Sequence, residues 1–254
     1  MENVNTITIE TNAIQNSSMK TLIENIDMAY VPVENNSMSN MFRECSNLTS
    51  VLNINQNVSN MVNTFRNCQN LIDAPEIPYG VINMWGSFWI CNNLVNAPVI
   101  PNSVNNIEMA FCGCASLNNV PTIPNSITNM DRTFIGCSSL ATVPSIPNGV
   151  ESLYSTFADC SNLVTAPNMN NAYSITSMGA TFMNCSSLTG NIYIFSENIS
   201  YAMDCFRNTL LEKNVYIPFK NGTNDTKTYN TFTALGYSST SRKDGVQLFD
   251  LNSL

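Results

Sequence analysis

The stretch NMWGSFWICNNLVNAPVIPNSV, residues 83–104, decides the fold. Its Met84, Phe88, Cys91 and Leu94 are spaced four, three and three apart, which predicts one apolar face of a short helix. Asn83, five residues ahead of the Phe, supplies a side-chain acceptor suited to an N-cap. The second half, Ala97-Pro98-Val99-Ile100-Pro101, cannot be helical, because each Pro lacks a donor and restricts its predecessor. It predicts a short extended segment closed by a turn at Pro101-Asn102-Ser103.

The unit returns along the chain. Phe42, Phe65, Phe88, Phe111, Phe134, Phe157 and Phe182 are each followed by a Cys three residues on and a Leu six residues on. Five steps are 23 residues and the sixth is 25. The N-cap position carries Ser37, Asn60, Asn83, Asn106, Asn129, Ser152 and Ser177. Such periodicity marks stacked units that cannot bury an apolar face alone. The expected fold is an α/β solenoid of about seven regular repeats of 23–25 residues, each a short helix plus a short extended strand. Residues 1–37 read as an N-terminal strand and degenerate capping repeat, 38–200 as the regular repeats, and 201–254 as degenerate repeats and a cap. In the first, Met19 and Leu22 align with the Phe and Cys, and Pro32 with the second repeat Pro. In the last, Phe206 keeps the Phe, Tyr216-Ile217-Pro218 the strand, Phe232 opens an irregular turn, and 246–251 reads as a closing strand.

Composition narrows function. Charged residues are 11% of the chain, Asn is the commonest residue, and the net charge is −8. Four of the five Lys lie beyond residue 210, so no basic stripe runs along the repeats and nucleic-acid binding is not expected. The first thirty residues lack a basic segment followed by an apolar stretch, so no export signal is expected. No run approaches the ~18 apolar residues of a membrane helix, and membrane insertion is not expected. If the start is native, the protein is made in a cytoplasm and leaves it by lysis, by assembly into a larger particle, or not at all.

Seven of the nine Cys share one repeat position. Parallel side chains about 5 Å apart form a buried ladder of reduced thiols more readily than bridges. Cys112 and Cys205 fall outside it, and Cys112-x-Cys114 lacks the second pair or His that a metal would need. There is no His anywhere, no Gly-rich phosphate loop and no repeated carboxylate pair, so no catalytic residue, cofactor or metal is expected. Asn221–Asp225 offers oxygen ligands but reads as a turn. Sequons at Asn16, Asn47, Asn57, Asn184, Asn198, Asn221 and Asn224 are what an Asn- and Ser-rich chain generates by chance.

Ala110-Phe111-Cys112-Gly113-Cys114-Ala115-Ser116-Leu117, followed by Ile123-Pro124-Asn125-Ser126-Ile127, resembles the BspA-like leucine-rich repeat. The resemblance covers roughly residues 19 to 220 and implies a leucine-rich-repeat solenoid. The chain departs from it by an extra Pro in four strands (Pro75, Pro98, Pro121, Pro144), which predicts a ragged sheet. The resemblance implies a binding scaffold of the kind seen in adhesins and host-contact proteins. Short, Asn-rich, signal-less versions are similar to structural proteins of bacteriophages near the tail or baseplate.

Two surfaces are candidates for binding. Three residues before each Phe stand Val62, Trp85, Glu108, Asp131 and Tyr154; one residue after it stand Arg66, Trp89, Cys112, Ile135 and Ala158. On a helix these rows are neighbours. Trp85, Trp89, Ile135 and Tyr154 are the candidate contact residues, the alternative being that they pack on neighbouring helices. The second face is the strand row Glu76, Val99, Thr122 and Ser145, small and polar enough for a glycan or polar protein, or simply a solvated sheet face. The expected function is a non-enzymatic binding or structural protein of a virion, contacting protein or glycan on a host surface or neighbouring virion proteins. The alternative is a cell-surface adhesin or interaction module, and oligomerisation stays open.

Overall fold

The computed structural model describes Ile14, residues 20–21, 23–29, 31 and 33–209, and the strands Asn214–Ile217 and Gln247–Asp250. Met19, Leu22, Pro32, Pro218, Phe232, the Asn221–Asp225 loop and the sequon at Asn16 lie outside the described residues. The core is a set of columns running along the stack. Every Phe, Cys and Leu from Phe42 to Leu188 in the repeat positions is buried. The Phe rings lie face to face at 5.3–5.8 Å, and Phe206 extends the column at 5.5 Å from Phe182.

That spacing excludes the expected helices. Helices packed side by side sit about 8–10 Å apart, whereas successive coils here are separated by one strand spacing, about 4.8 Å. The Phe-x-x-Cys segment instead forms a ladder of turns, and among the described residues the one helical segment is a 3-10 turn at Glu34–Asn36. Around Phe65, amides alternate in destination. Those of Met61, Asn63, Phe65 and Asn67 donate across to the carbonyls of Asn83, Trp85, Ser87 and Trp89 in the next coil, at 2.6–2.9 Å. Those of Thr64, Arg66 and Cys68 turn back to the carbonyl three residues earlier, at 3.0–3.2 Å.

The alternation is produced by two left-handed residues per coil, two before and two after the Phe. They are Asn40 and Glu44, Asn63 and Asn67, Gly86 and Ile90, Met109 and Gly113, Arg132 and Gly136, Ser155 and Asp159, Ala180 and Asn184, Asp204 and Asn208. A positive φ at either position ends a helix. The residues expected as N-caps keep their acceptor role inside this different structure. Asn60, Asn83, Asn106 and Asn129 each accept, through Oδ1, the amide two residues on, at 2.7–3.1 Å. Their backbones pair in parallel bridges from Ser37 through Asn60 and Asn83 to Asn106.

The strand side is ragged. β1 (Asn25–Asp27) and β2 (Ser50–Leu52) pair in parallel, as do β3 (Ile192–Tyr193), β4 (Asn214–Ile217) and β5 (Gln247–Asp250) in that order. Between these two sheets Pro75, Pro98, Pro121, Pro144 and Pro167 occupy the row that Leu52 and Ile192 fill at the ends. Pro cannot donate to a ladder, and pairing on this side shrinks to single bridges joining Asp73, Asn96 and Asn119.

Polar atoms inside the stack bond to the preceding coil. The thiols of Cys68, Cys91, Cys114, Cys137, Cys160 and Cys185 donate to the carbonyls of Phe42, Phe65, Phe88, Phe111, Phe134 and Phe157 at 3.0–3.2 Å. Thr64, Ser87, Thr133, Thr156 and Thr181, each just before a Phe, are buried, and their hydroxyls donate to Met38, Met61, Ile107, Met130 and Leu153 carbonyls. Burial disfavours the thiolate. It pushes Cys45 up to about 11 and Cys205 to about 12, and holds Cys68, Cys91, Cys137 and Cys160 well above the ordinary thiol range.

The ladder and a helix predict opposite outcomes at Gly136, whose φ is 74°. In a helix Gly136→Ala would stabilise by roughly 1 kcal/mol; in the ladder it destabilises by about 1–2 kcal/mol. Urea unfolding of the variant reads the sign directly. For the thiols, alkylation requires thiolate and access, and Cys112 alone of the nine is not buried. Native labelling at pH 8 followed by peptide mapping should modify Cys112 and spare Cys68, Cys91, Cys114 and Cys137. Labelling of the whole column without denaturant would contradict the packing. The raised thiol pKa values favour the folded state fully below the ordinary value of 9.0, and this contribution is lost as pH rises above it.

Candidate functional site

The turn ladder fixes which side chains meet on its outer face. In the Phe65, Phe88, Phe111 and Phe134 coils the residues three before and one after the Phe are all partly exposed, and Trp85 and Trp89 meet edge to face at 6.3 Å, both half-buried. The adjacency expected from a helix is therefore present, produced by a turn between them. Gly86, with φ of 60°, makes that turn; a Cβ there would stand 2.6 Å from Oδ1 of Asn63 in the preceding coil. Asn63 is buried, and its Oδ1 has no hydrogen-bond partner among the described residues.

Arg66 of the preceding coil lies over Trp89, its Cζ 3.7 Å from the ring centroid. Partial burial, then the Arg43 cation, lower the Arg66 pKa from its ordinary value. The same arrangement recurs at Tyr154, where Arg132 stacks at 4.9 Å. Tyr154 also faces Tyr201, with centroids 6.2 Å apart. Gly179 occupies the intervening coil, and a Cβ there would collide with the Tyr201 ring and stand 2.9 Å from Tyr154. Asp131 accepts from the Ser152 hydroxyl and the Tyr154 amide, holding this second cluster in place.

Three of the four sequence candidates thus fall into two clusters rather than one. Trp85 and Trp89 come together with Arg66; Tyr154 joins Arg132 and Tyr201 three coils away. Ile135 is half-buried on the same face, with its amide bonded to the Arg132 carbonyl, and it enters neither ring contact. Arg132, Tyr201 and the part played by Arg66 are not among the sequence candidates. Arg66 was visible in the same row as Trp89, whereas Arg132 sits two before its Phe and Tyr201 in the N-cap row. Only the coil-to-coil contact reveals those two.

On the strand side Glu76, Val99, Thr122 and Ser145 are all exposed, Val99 at 75%. They form a single row, with Tyr79 exposed at 80% in the adjoining turn. The described residues contain no group of three or more Cys, Asp or Glu placed to hold a metal ion.

Comparison with known proteins follows the same lines. The chain is similar to a solved leucine-rich repeat protein of T. pallidum, at 25% identity with a TM-score of 0.54, covering 66% of this chain and 78% of that one. A leucine-rich repeat protein of Bacteroides ovatus aligns over 94% of this chain and 86% of its own at 16% identity, with a TM-score of 0.45. No curated protein matches. The finer resemblance to bacteriophage tail proteins gains nothing from these matches. The BspA type leucine rich repeat region matches in six copies over residues 86–212, half of the chain, and the protein belongs to that family.

Proposed function

We propose that the chain is a non-enzymatic interaction module whose contact surface is the outer face of the turn ladder. One observation carries the reading: on a scaffold whose core columns hold constant, the variable rows gather both Trp of the chain beside a stacked Arg, half-exposed. Large aromatics at outward positions supply contact area at low entropic cost. Leucine-rich repeats of this type suggest protein–protein contact, and a glycan partner suits the same side chains. The absence of His supports a binding role over acid–base catalysis. For the setting, a virion-borne attachment or assembly role rests on the resemblance of short, Asn-rich versions, and a cell-surface adhesin is the alternative; mass spectrometry of purified particles against envelope fractions separates them.

A photo-crosslinking residue placed at Ile135 or Tyr154 in producing cells should capture a partner, and one at Thr122 or Ser145 should not. W85A/W89A should weaken the captured partner by about thirtyfold, corresponding to ~2 kcal/mol. Its unfolding free energy should fall far less than the ~3–5 kcal/mol of a buried aromatic such as Phe111→Ala. Capture from the strand row alone would move the contact surface to Glu76, Thr122 and Ser145. A core-sized loss of stability would return the Trp pair to a packing role.

A further inference from the structure

Three side chains at one corner of the ladder face leave their polar groups uncommitted. Among the described residues Arg66 forms no ion pair, while Lys20, Arg43, Arg132 and Arg207 are each paired with a carboxylate. Neither the Arg66 guanidinium nor the indole N–H of Trp85 or Trp89 donates a hydrogen bond to a described residue. The guanidinium carbon sits over the Trp89 ring, 3.7 Å from its centroid, which keeps the donors beside the indole.

The backbone beneath them is fully used. The Trp85 and Trp89 carbonyls accept from Asn63 and Asn67, the Arg66 carbonyl accepts from Glu44, and the Trp85 amide donates to Asn83 Oδ1. The Arg66, Trp89 and Ile90 amides donate to Asn63, Gly86 and Cys112 carbonyls. A peptide therefore finds no edge to extend by strand addition, and recognition falls to the side chains. An indole packs well against the apolar C–H face of a pyranose ring. A pre-held guanidinium offers two parallel donors to a carboxylate.

Charge sets how many carboxylates the partner brings. The chain carries −8 overall, and Arg66 is the one unpaired cation among the described residues. A polyanion would meet repulsion along most of the described repeats, whereas a single carboxylate needs only the one partner. We propose that Arg66, Trp85 and Trp89 form a binding site for a terminal carboxylated sugar, a sialic or uronic acid at the end of a glycan. The proposal rests on the reading of this face as the contact surface.

Both Trp of the chain lie in the site, so intrinsic fluorescence reports it directly. Titration with 3′-sialyllactose or a glucuronic acid-terminated disaccharide should give a saturable change with Kd about 1 mM or tighter. Lactose, with the same neutral core, should give none. Arg66→Lys keeps the charge but loses the fork, and should weaken binding by at least about tenfold; Arg66→Ala should abolish it. Circular dichroism melts of both variants near that of the wild type show that the fold is intact. Equal binding of lactose, a preference for a peptide bearing a single Asp over both acidic sugars, or no saturable change with either acidic sugar overturns the proposal. Those outcomes leave the contact-face reading standing, since that fails on a separate result, crosslinking from Thr122 or Ser145 alone.

Discussion

From Phe42 to Phe182 each coil hands alternate amides to the next coil, and the rest of the described structure follows from that exchange. The four bonds from the Phe65 coil to the Phe88 coil, at 2.6–2.9 Å, set a coil spacing that only a β-like backbone can hold. Face-to-face Phe rings fit the same spacing, at 5.3–5.8 Å. So do the buried Thr hydroxyls and Cys thiols that reach acceptors one coil back. A coil separated from its neighbours would leave these groups without partners. Stability is accordingly a property of adjacent pairs, as in other one-dimensional repeat stacks.

The sequence discloses the core far better than the backbone that encloses it. Spacing of four, three and three between Met84, Phe88, Cys91 and Leu94 places all four inside, and they are inside. The same spacing suits a helix and a chain of tight turns, because both return a side chain to one face every three or four residues. The distinguishing signal was present elsewhere. Of the sixteen left-handed positions, five are Asn, two are Asp and three are Gly, the residues that tolerate this conformation best. They lie four residues apart within each coil, where a helix would favour Ala, Leu or Glu. The effect of the strand Pro was readable because it acts locally, by deleting a donor. Ile90, β-branched with φ of 60°, shows why the turn signal is faint: the ladder imposes its conformation even on a residue that resists it.

The candidate surface divides along the same line. That Trp85 and Trp89 are neighbours follows from their separation of four residues on either local geometry. That Arg66 covers Trp89, or that Tyr201 reaches Tyr154 past Gly179, depends on the offset between coils, which no single repeat encodes. Rows read one repeat at a time list the residues on a face without saying which ones touch.

The abundance of Asn follows from these demands. Asn60, Asn83, Asn106 and Asn129 cap turns through their side chains, while Asn40, Asn63, Asn67, Asn184 and Asn208 adopt the left-handed conformation. The backbone work of the stack is thus given to small polar residues and the packing to Phe, Cys and Leu. Neither set includes the positions one after or three before each Phe. Those rows vary from coil to coil, with Trp, Arg, Glu, Asp, Tyr, Ile and Cys among their residues, and all four described Arg lie on this outer face. With the ladder amides and carbonyls engaged between coils, a partner there meets side chains alone. Asp131 apart, whose carboxylate accepts from Ser152 and Tyr154, substitution in these two rows leaves the backbone bonds that hold one coil to the next in place.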